Sequence, residues 1–298
     1  MRIKGLVAAV VLLAAAAMVA AAQDGLTLRY QYKAGTIDKY TMRGTFNGTM
    51  SGAGGAGEAA MPISVSIDGA MTIKTTAVSD AGVASQQMTV NRVEANTDMM
   101  GMAAQIIMEG GKVTVLVNGQ PMEMPEGMPG MDSIGQPIGM KIDSRGRVLE
   151  LNTSSMGEMF GGFDPSMMQQ TSVAFPEGPV TPGQTWSNSV KLPMKVMGQD
   201  MLLALDFSYT FVGTEKYKGV DVARINLEGR DEMRPAAGGS GGLESMKQTF
   251  SGYELFDYSA GRAPYGKITM NQVATVAGGA NQAPMTMNIA GDLEILLQ

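Results

Sequence analysis

Apolar residues fall on every second position along most of this chain, and that spacing constrains the fold more than anything else. Met61, Ile63, Val65, Ile67, Met71 and Ile73 occupy odd positions, with Ser64, Ser66, Asp68, Thr72 and Lys74 between them. Met201, Leu203, Leu205, Phe207, Tyr209 and Phe211 repeat the stripe in the second half. A period of two puts alternate side chains on opposite faces of a strand, so each such stretch is a half-buried β-strand. Leu26, Leu28, Tyr30 and Tyr32 alternate in the same way and predict a further strand over 26–33. Met285, Met287, Ile289, Leu293 and Ile295 predict another at the end. Strands with one apolar and one polar face pair as antiparallel sheets.

The pattern is written twice. Thr181-Pro182-Gly183-Gln184-Thr185-Trp186 has a fainter counterpart in Ala34-Gly35-Thr36-Ile37-Asp38-Lys39-Tyr40-Thr41, a glycine turn leading to an aromatic residue. Lys218-Gly219-Val220 echoes Ala81-Gly82-Val83. Asp257-Tyr258-Ser259-Ala260-Gly261-Arg262 echoes Asp143-Ser144-Arg145-Gly146-Arg147. The expected fold is all-β: two repeated halves of antiparallel strands forming curved sheets, as a sandwich or a half-barrel. The first repeat covers 23–152, with a Met/Gly/Pro-rich insertion at 97–135 expected to be irregular apart from a short strand at Val113–Val117. A linker at 153–180 holds one short helix over Pro165–Ser172, and the second repeat covers 181–298.

Residues 1–22 read as a secretory signal peptide: Arg2 and Lys4, an apolar run from Leu6, then Ala20-Ala21-Ala22 as the cleavage site. An exported protein, periplasmic or extracellular, with no membrane span after cleavage is the expectation. The sequence contains neither cysteine nor histidine. That excludes disulfides and thiol chemistry, and it removes both the usual neutral-pH general base and the commonest zinc ligand. A formal charge of −6 argues against nucleic acid.

Two motif matches fail on context. Gly52-Ala53-Gly54-Gly55-Ala56-Gly57 fits GxGxxG, but a strand pattern follows where a dinucleotide site needs a helix. Gly238-Gly239-Ser240-Gly241-Gly242 fits GxSxG, but no histidine exists to activate the serine. Asp143 and Asp257 read as turn openers, whose carboxylates bond their own backbone. No cofactor and no catalytic residue is expected.

Three stretches together resemble the DUF6263 family of exported bacterial proteins of unknown function: LTLRYQYKAGTIDKYT at 26–41, FPEGPVTPGQTW at 175–186, and the paired turns DSRGRVLE and DYSAGRAPYGKI. The second half is also similar to the LolA-like class of curved sheets that shelter apolar ligands. The resemblance implies a non-catalytic exported β protein and brings no catalytic residues. On this reading Leu203, Leu205, Phe207, Tyr209, Phe211 and Trp186 offer a concave face to an apolar small molecule or lipid, although core packing explains them equally. Trp186 and Tyr40 are expected to plug one end of their own sheets. A structural protein that binds an envelope partner, without a small ligand, is the second reading. Capture of Cu(I) by the thioethers of Met122, Met124, Met128 and Met131 is the third.

Overall fold

The computed structural model describes residues 25–52, 60–99, 101–122, 135–152, 174–196, 199–236, 242–277 and 284–298. Its strands are β1 (Ile37–Ser51), β2 (Met61–Val78), β3 (Ala84–Met99), β4 (Met102–Glu109), β5 (Lys112–Val117), β6 (Gln120–Met122) and β7 (Ile138–Ile142), then β8 (Val148–Asn152), β9 (Thr185–Val196), β10 (Gln199–Tyr217), β11 (Val220–Pro235), β12 (Leu243–Asp257), β13 (Arg262–Val276) and β14 (Met285–Leu297). No helix occurs among the described residues. The expected helix at Pro165–Ser172 lies outside them, as does the signal segment 1–22.

All of these strands belong to one sheet, in the order β6-β5-β4-β3-β2-β1-β14-β13-β12-β11-β10-β9, with the β7–β8 hairpin attached to β3. A sandwich of two sheets is therefore set aside. The halves fuse where β1 runs antiparallel to β14, from Tyr40 opposite Leu297 to Ser51 opposite Thr286. One edge of β3 is shared between two partners: its first residues, Ala84 to Met88, pair with β7, and Arg92 to Met99 pair with β4. The described part of the insertion, residues 97–99 and 101–122, is thus more regular than its glycines and methionines suggest. Ala104, Ile106 and Met108 on β4 sit opposite Val117, Val115 and Val113 on β5, and that apolar ladder extends the sheet. β1 ends at Ser51 and the next described strand is β2 from Met61; residues 53–59, which hold most of the GxGxxG match, lie outside the described residues.

Residues 26–33 alternate as expected but are not a sheet strand. Leu28 is buried while Thr27, Gln31 and Lys33 are exposed. Yet among the described residues the only bridge this segment makes joins Leu26 to Val180, by reciprocal backbone hydrogen bonds of 2.9 Å. It is a strap laid on the face of the sheet, and alternation reports which side chains are buried, not whether the backbone has neighbours. The Tyr30 amide donates to the Ser144 carbonyl in the β7–β8 turn, and the Gln31 amide donates to the Gly261 carbonyl in the β12–β13 turn. In sheet order β14, β1, β2 and β3 separate those turns, a span of about 24 Å if the sheet were flat. Two consecutive residues reach both only because the sheet curls round the strap.

The main core lies under this strap and the segment before β9. Leu28, Phe175 and Val180 pack against Phe211, Ala223, Ile225 and Phe256. The prolines of FPEGPV cannot donate to a ladder, and arginine side chains satisfy its carbonyls instead. Arg29 donates to the Pro176 and Glu177 carbonyls, and Arg145 Nε donates to the Phe175 carbonyl at 2.6 Å.

The two glycine turns share one hydrogen-bond scheme. Gly35 and Gly183 have φ of 86° and 85°, a region that costs other residues strain. Gly35 donates to Thr75 and Gly183 to Phe211. Thr36 donates to Lys33 and Gln184 to Thr181, while Thr75 donates back to Thr36 and Phe211 back to Gln184. Lys218 and Gly219 both have positive φ, as a two-residue type I′ hairpin between β10 and β11 requires.

Candidate ligand-binding cavity

Between the strap and the sheet lies a cavity of about 280 Å³. Tyr30 and Phe175 roof it, stacked with centroids 5.3 Å apart. Trp186 at the start of β9 and Tyr209 on β10 are a second stacked pair at 5.9 Å, and Tyr40 enters from β1. Ile225 and Leu227 on β11, Ile268 on β13 and Ile295 on β14 supply apolar wall. Cross-strand register explains the convergence: Trp186 faces Tyr209, Tyr209 faces Leu227, and Gly266 faces Ile295, so these positions share one sheet face.

Glu254 on β12 belongs to that face too, opposite Ile225 on one side and Gly266 on the other. Gly266 leaves room beside it, since a Cβ built there would meet nothing nearer than 3.9 Å. Tyr253 and Tyr265 alternate to the opposite face, where their rings lie 5.8 Å apart, tilted by 45°, and Arg224 lies 3.9 Å over the Tyr253 ring. By register they border the cavity through its floor and not through their rings.

Among the described residues Glu254 is the one carboxyl of the cavity wall, and no lysine or arginine lines it. It retains part of its accessible surface and lines the cavity, in surroundings crowded enough to strip water from the carboxylate. Burial pushes its pKa from 4.5 up to about 7. Among the described residues no side chain donates a hydrogen bond to it. Burial, and secondarily the Glu254 charge, raises Tyr30 well above the ordinary phenol value. Tyr209 rises to about 12 for the same two reasons, and Tyr40 to about 12 by burial, then Asp38, then Glu254. No fully buried side-chain oxygen or nitrogen among the described residues lacks a partner. The unpaired Glu254 carboxyl therefore touches open space rather than packed protein.

A second hollow of about 430 Å³ shares Tyr30, Tyr40 and Ala263 with the first. It is more polar, with Asp38 and Arg262 3.9 Å apart and Gln86 donating to Thr75 at 3.2 Å. A hollow of about 320 Å³ near Ser64, Asn96 and Asp98 has a mixed lining that includes Ala103, Ala104 and Leu116 and no aromatic ring among the described residues.

Of the six residues expected to face a ligand, the cavity brings together Trp186 and Tyr209. Phe211 is 2% exposed and belongs to the core under the strap. Leu203, Leu205 and Phe207 form a separate cluster with Val190 farther along the same face. In that region Asp231, pushed up by burial to about 6, differs from Glu254 in having a partner. The Gln248 amide lies 2.6 Å from both Asp231 Oδ2 and Gln272 Oε1. Tyr40 and Trp186, expected to plug separate ends, line one cavity. Met122 is 52% exposed at the end of β6, and Met124, Met128 and Met131 lie outside the described residues. Sequence reasoning missed Glu254. Its signal was parity: Gly252, Glu254 and Phe256 share the face that Phe256 buries, so an acid stood on an apolar stripe.

No family model and no curated protein matches this chain. Among solved structures it is similar to lipovitellin, in a structure concerned with lipid–protein interactions, at 7% identity and a TM-score of 0.42. That match spans 90% of this chain and a quarter of lipovitellin's. It is also similar to an outer-membrane channel from Pseudomonas putida F1 (8% identity, TM-score 0.24, 93% of this chain and 98% of that one). A third is the transport unit of the autotransporter AIDA-I from Escherichia coli (11% identity, TM-score 0.22, 95% and 97%). At these scores the likeness is that of large antiparallel sheets, and it carries no argument about function.

Proposed function

We propose that this chain is a non-catalytic, exported protein of the bacterial envelope that binds a small apolar molecule beneath its N-terminal strap. The observation that carries this reading is the aromatic-lined cavity of about 280 Å³. An apolar hollow with a few polar tips is the usual form of a small-molecule site. Its size exceeds the roughly 150 Å³ that suffices for benzene in an apolar protein cavity. The shared hydrogen-bond scheme at Gly35 and Gly183 supports reading the two halves as repeats of one unit, and with it the resemblance to the DUF6263 family and a LolA-like half-barrel. Lack of histidine and cysteine supports a non-catalytic role. No described feature favours an envelope-partner surface or copper(I) capture over the cavity.

The test fills the cavity from its floor. Gly266 has no positive φ and open space above it, so Gly266→Leu projects a side chain into the ligand volume. The wild-type protein is expected to bind an uncharged apolar dye that Gly266→Leu excludes, with both proteins equally folded by circular dichroism. Equal dye binding by the two, or none by wild type, would refute the reading.

A further inference from the structure

The proposed ligand site contains a chemical instruction that an apolar cavity does not need. Among the described residues Glu254 lines it without a hydrogen-bonding or cationic partner and is the only formal charge on the wall. Retaining an unpaired carboxyl in such a place is costly unless a bound group pairs with it. Around it stand Tyr30, stacked on Phe175 and Tyr32, the stacked pair Trp186 and Tyr209, and Tyr40, and aromatic quadrupoles attract cations. A carboxylate set among aromatic rings is a setting in which proteins receive ammonium groups.

We infer that the ligand is an amphiphile with a cationic ammonium head, quaternary or amine, held against Glu254 and the surrounding rings while its apolar body lies along Ile225, Leu227, Ile268 and Ile295. This rests on the cavity being a ligand site at all. With Glu254 ionised it disfavours fatty acids and other anionic lipids, whose heads would meet a carboxylate and, among the described lining residues, no lysine or arginine. The ammonium could belong to a free cationic amphiphile or to a choline-headed lipid. The wall offers no cation for a phosphate, which favours the former.

Octyltrimethylammonium, octanol and octyl sulfate share one chain and differ in head charge. Octylphosphocholine adds a phosphate beside the same ammonium. Their binding is measured at about pH 8.5, where Glu254 is ionised, by quenching of Trp186, the only tryptophan in the sequence. The wild-type protein is expected to bind the trimethylammonium probe about tenfold or more tighter than octanol and to reject the sulfate. Glu254→Gln, which keeps the shape, should bind octanol unchanged and lose the preference for the cation. Tyr209→Leu should weaken the cation more than the alcohol. Octylphosphocholine binding as tightly as the simple ammonium identifies a choline-headed lipid, and weaker binding identifies a free amphiphile; both uphold Glu254 as the receiving group. Octanol bound as tightly as the cation in wild type, or a cation preference that survives Glu254→Gln, overturns the inference while leaving an apolar site in place. Failure of every probe to bind overturns the cavity reading and this inference together.

Discussion

Replacing Glu254 by glutamine should change how stability depends on pH, by an amount that follows from the geometry. Burial raises the carboxyl from its ordinary 4.5 to about 7. At ~1.4 kcal/mol per tenfold, that rise corresponds to about 3 kcal/mol between the two protonation states. The folded protein holds this proton more tightly than the unfolded chain does. Its contribution is therefore complete below about pH 4.5 and disappears as pH rises through about 7. Glutamine carries no such proton. Wild type and Glu254→Gln should have similar stability near pH 4.5, and by about pH 8.5 the variant should be the more stable by up to ~3 kcal/mol. The groups facing Glu254 do not blur the comparison. Tyr30 on the strap, Tyr40 on β1 and Tyr209 on β10 all titrate far above this window. Asp231, raised to about 6, titrates within it, but does so in both proteins and cancels in the difference. Urea unfolding followed by Trp186 fluorescence across that pH range is the assay, without ligand present. A wild-type-minus-variant difference that stays flat with pH would refute the argument that Glu254 is buried and unpaired.

Other expectations follow from packing and backbone geometry. Phe256 is fully buried under the strap, so Phe256→Ala should cost about 3–5 kcal/mol in urea unfolding, far more than truncation of half-exposed Tyr258. Gly183→Ala and Gly35→Ala each force a side chain into positive φ with nothing crowding it, so both should destabilise by similar amounts of about 1–2 kcal/mol. Gly266→Ala, with neither strain nor a clash, should be neutral or stabilising by about 0.5–1 kcal/mol in thermal unfolding.

Much of the fold was legible because alternation and turn chemistry are local. The stripes at 61–73 and 201–211 became β2 and β10, Gly35 and Gly183 took the positive φ that their turns demand, and Asp143 and Asp257 accept from the backbone of their own turns. Pairing was not legible. Leu26 to Tyr32 carries the alternation of a strand, but whether its backbone meets a neighbour depends on residues more than a hundred positions away, such as Val180 and Gly261. The described part of the insertion, up to Met122, misled for a different reason: glycines at 101, 110, 111 and 119 suggested irregular chain, whereas they supply positive φ at tight turns between β3, β4, β5 and β6. The site was half legible. Trp186 and Tyr40 stood out as aromatics after glycine turns, but only the curl of the sheet carries them to one cavity. Leu203, Leu205 and Phe207 could not be told from core by sequence, and they lie elsewhere on the face.

Titration of the wild-type protein with octyltrimethylammonium, below its micelle concentration and read through Trp186, tests the central claim. The account predicts saturable quenching with one site per chain, abolished by Gly266→Leu and weakened by Glu254→Gln. A linear, non-saturating response, or the same curve in Gly266→Leu, would contradict it.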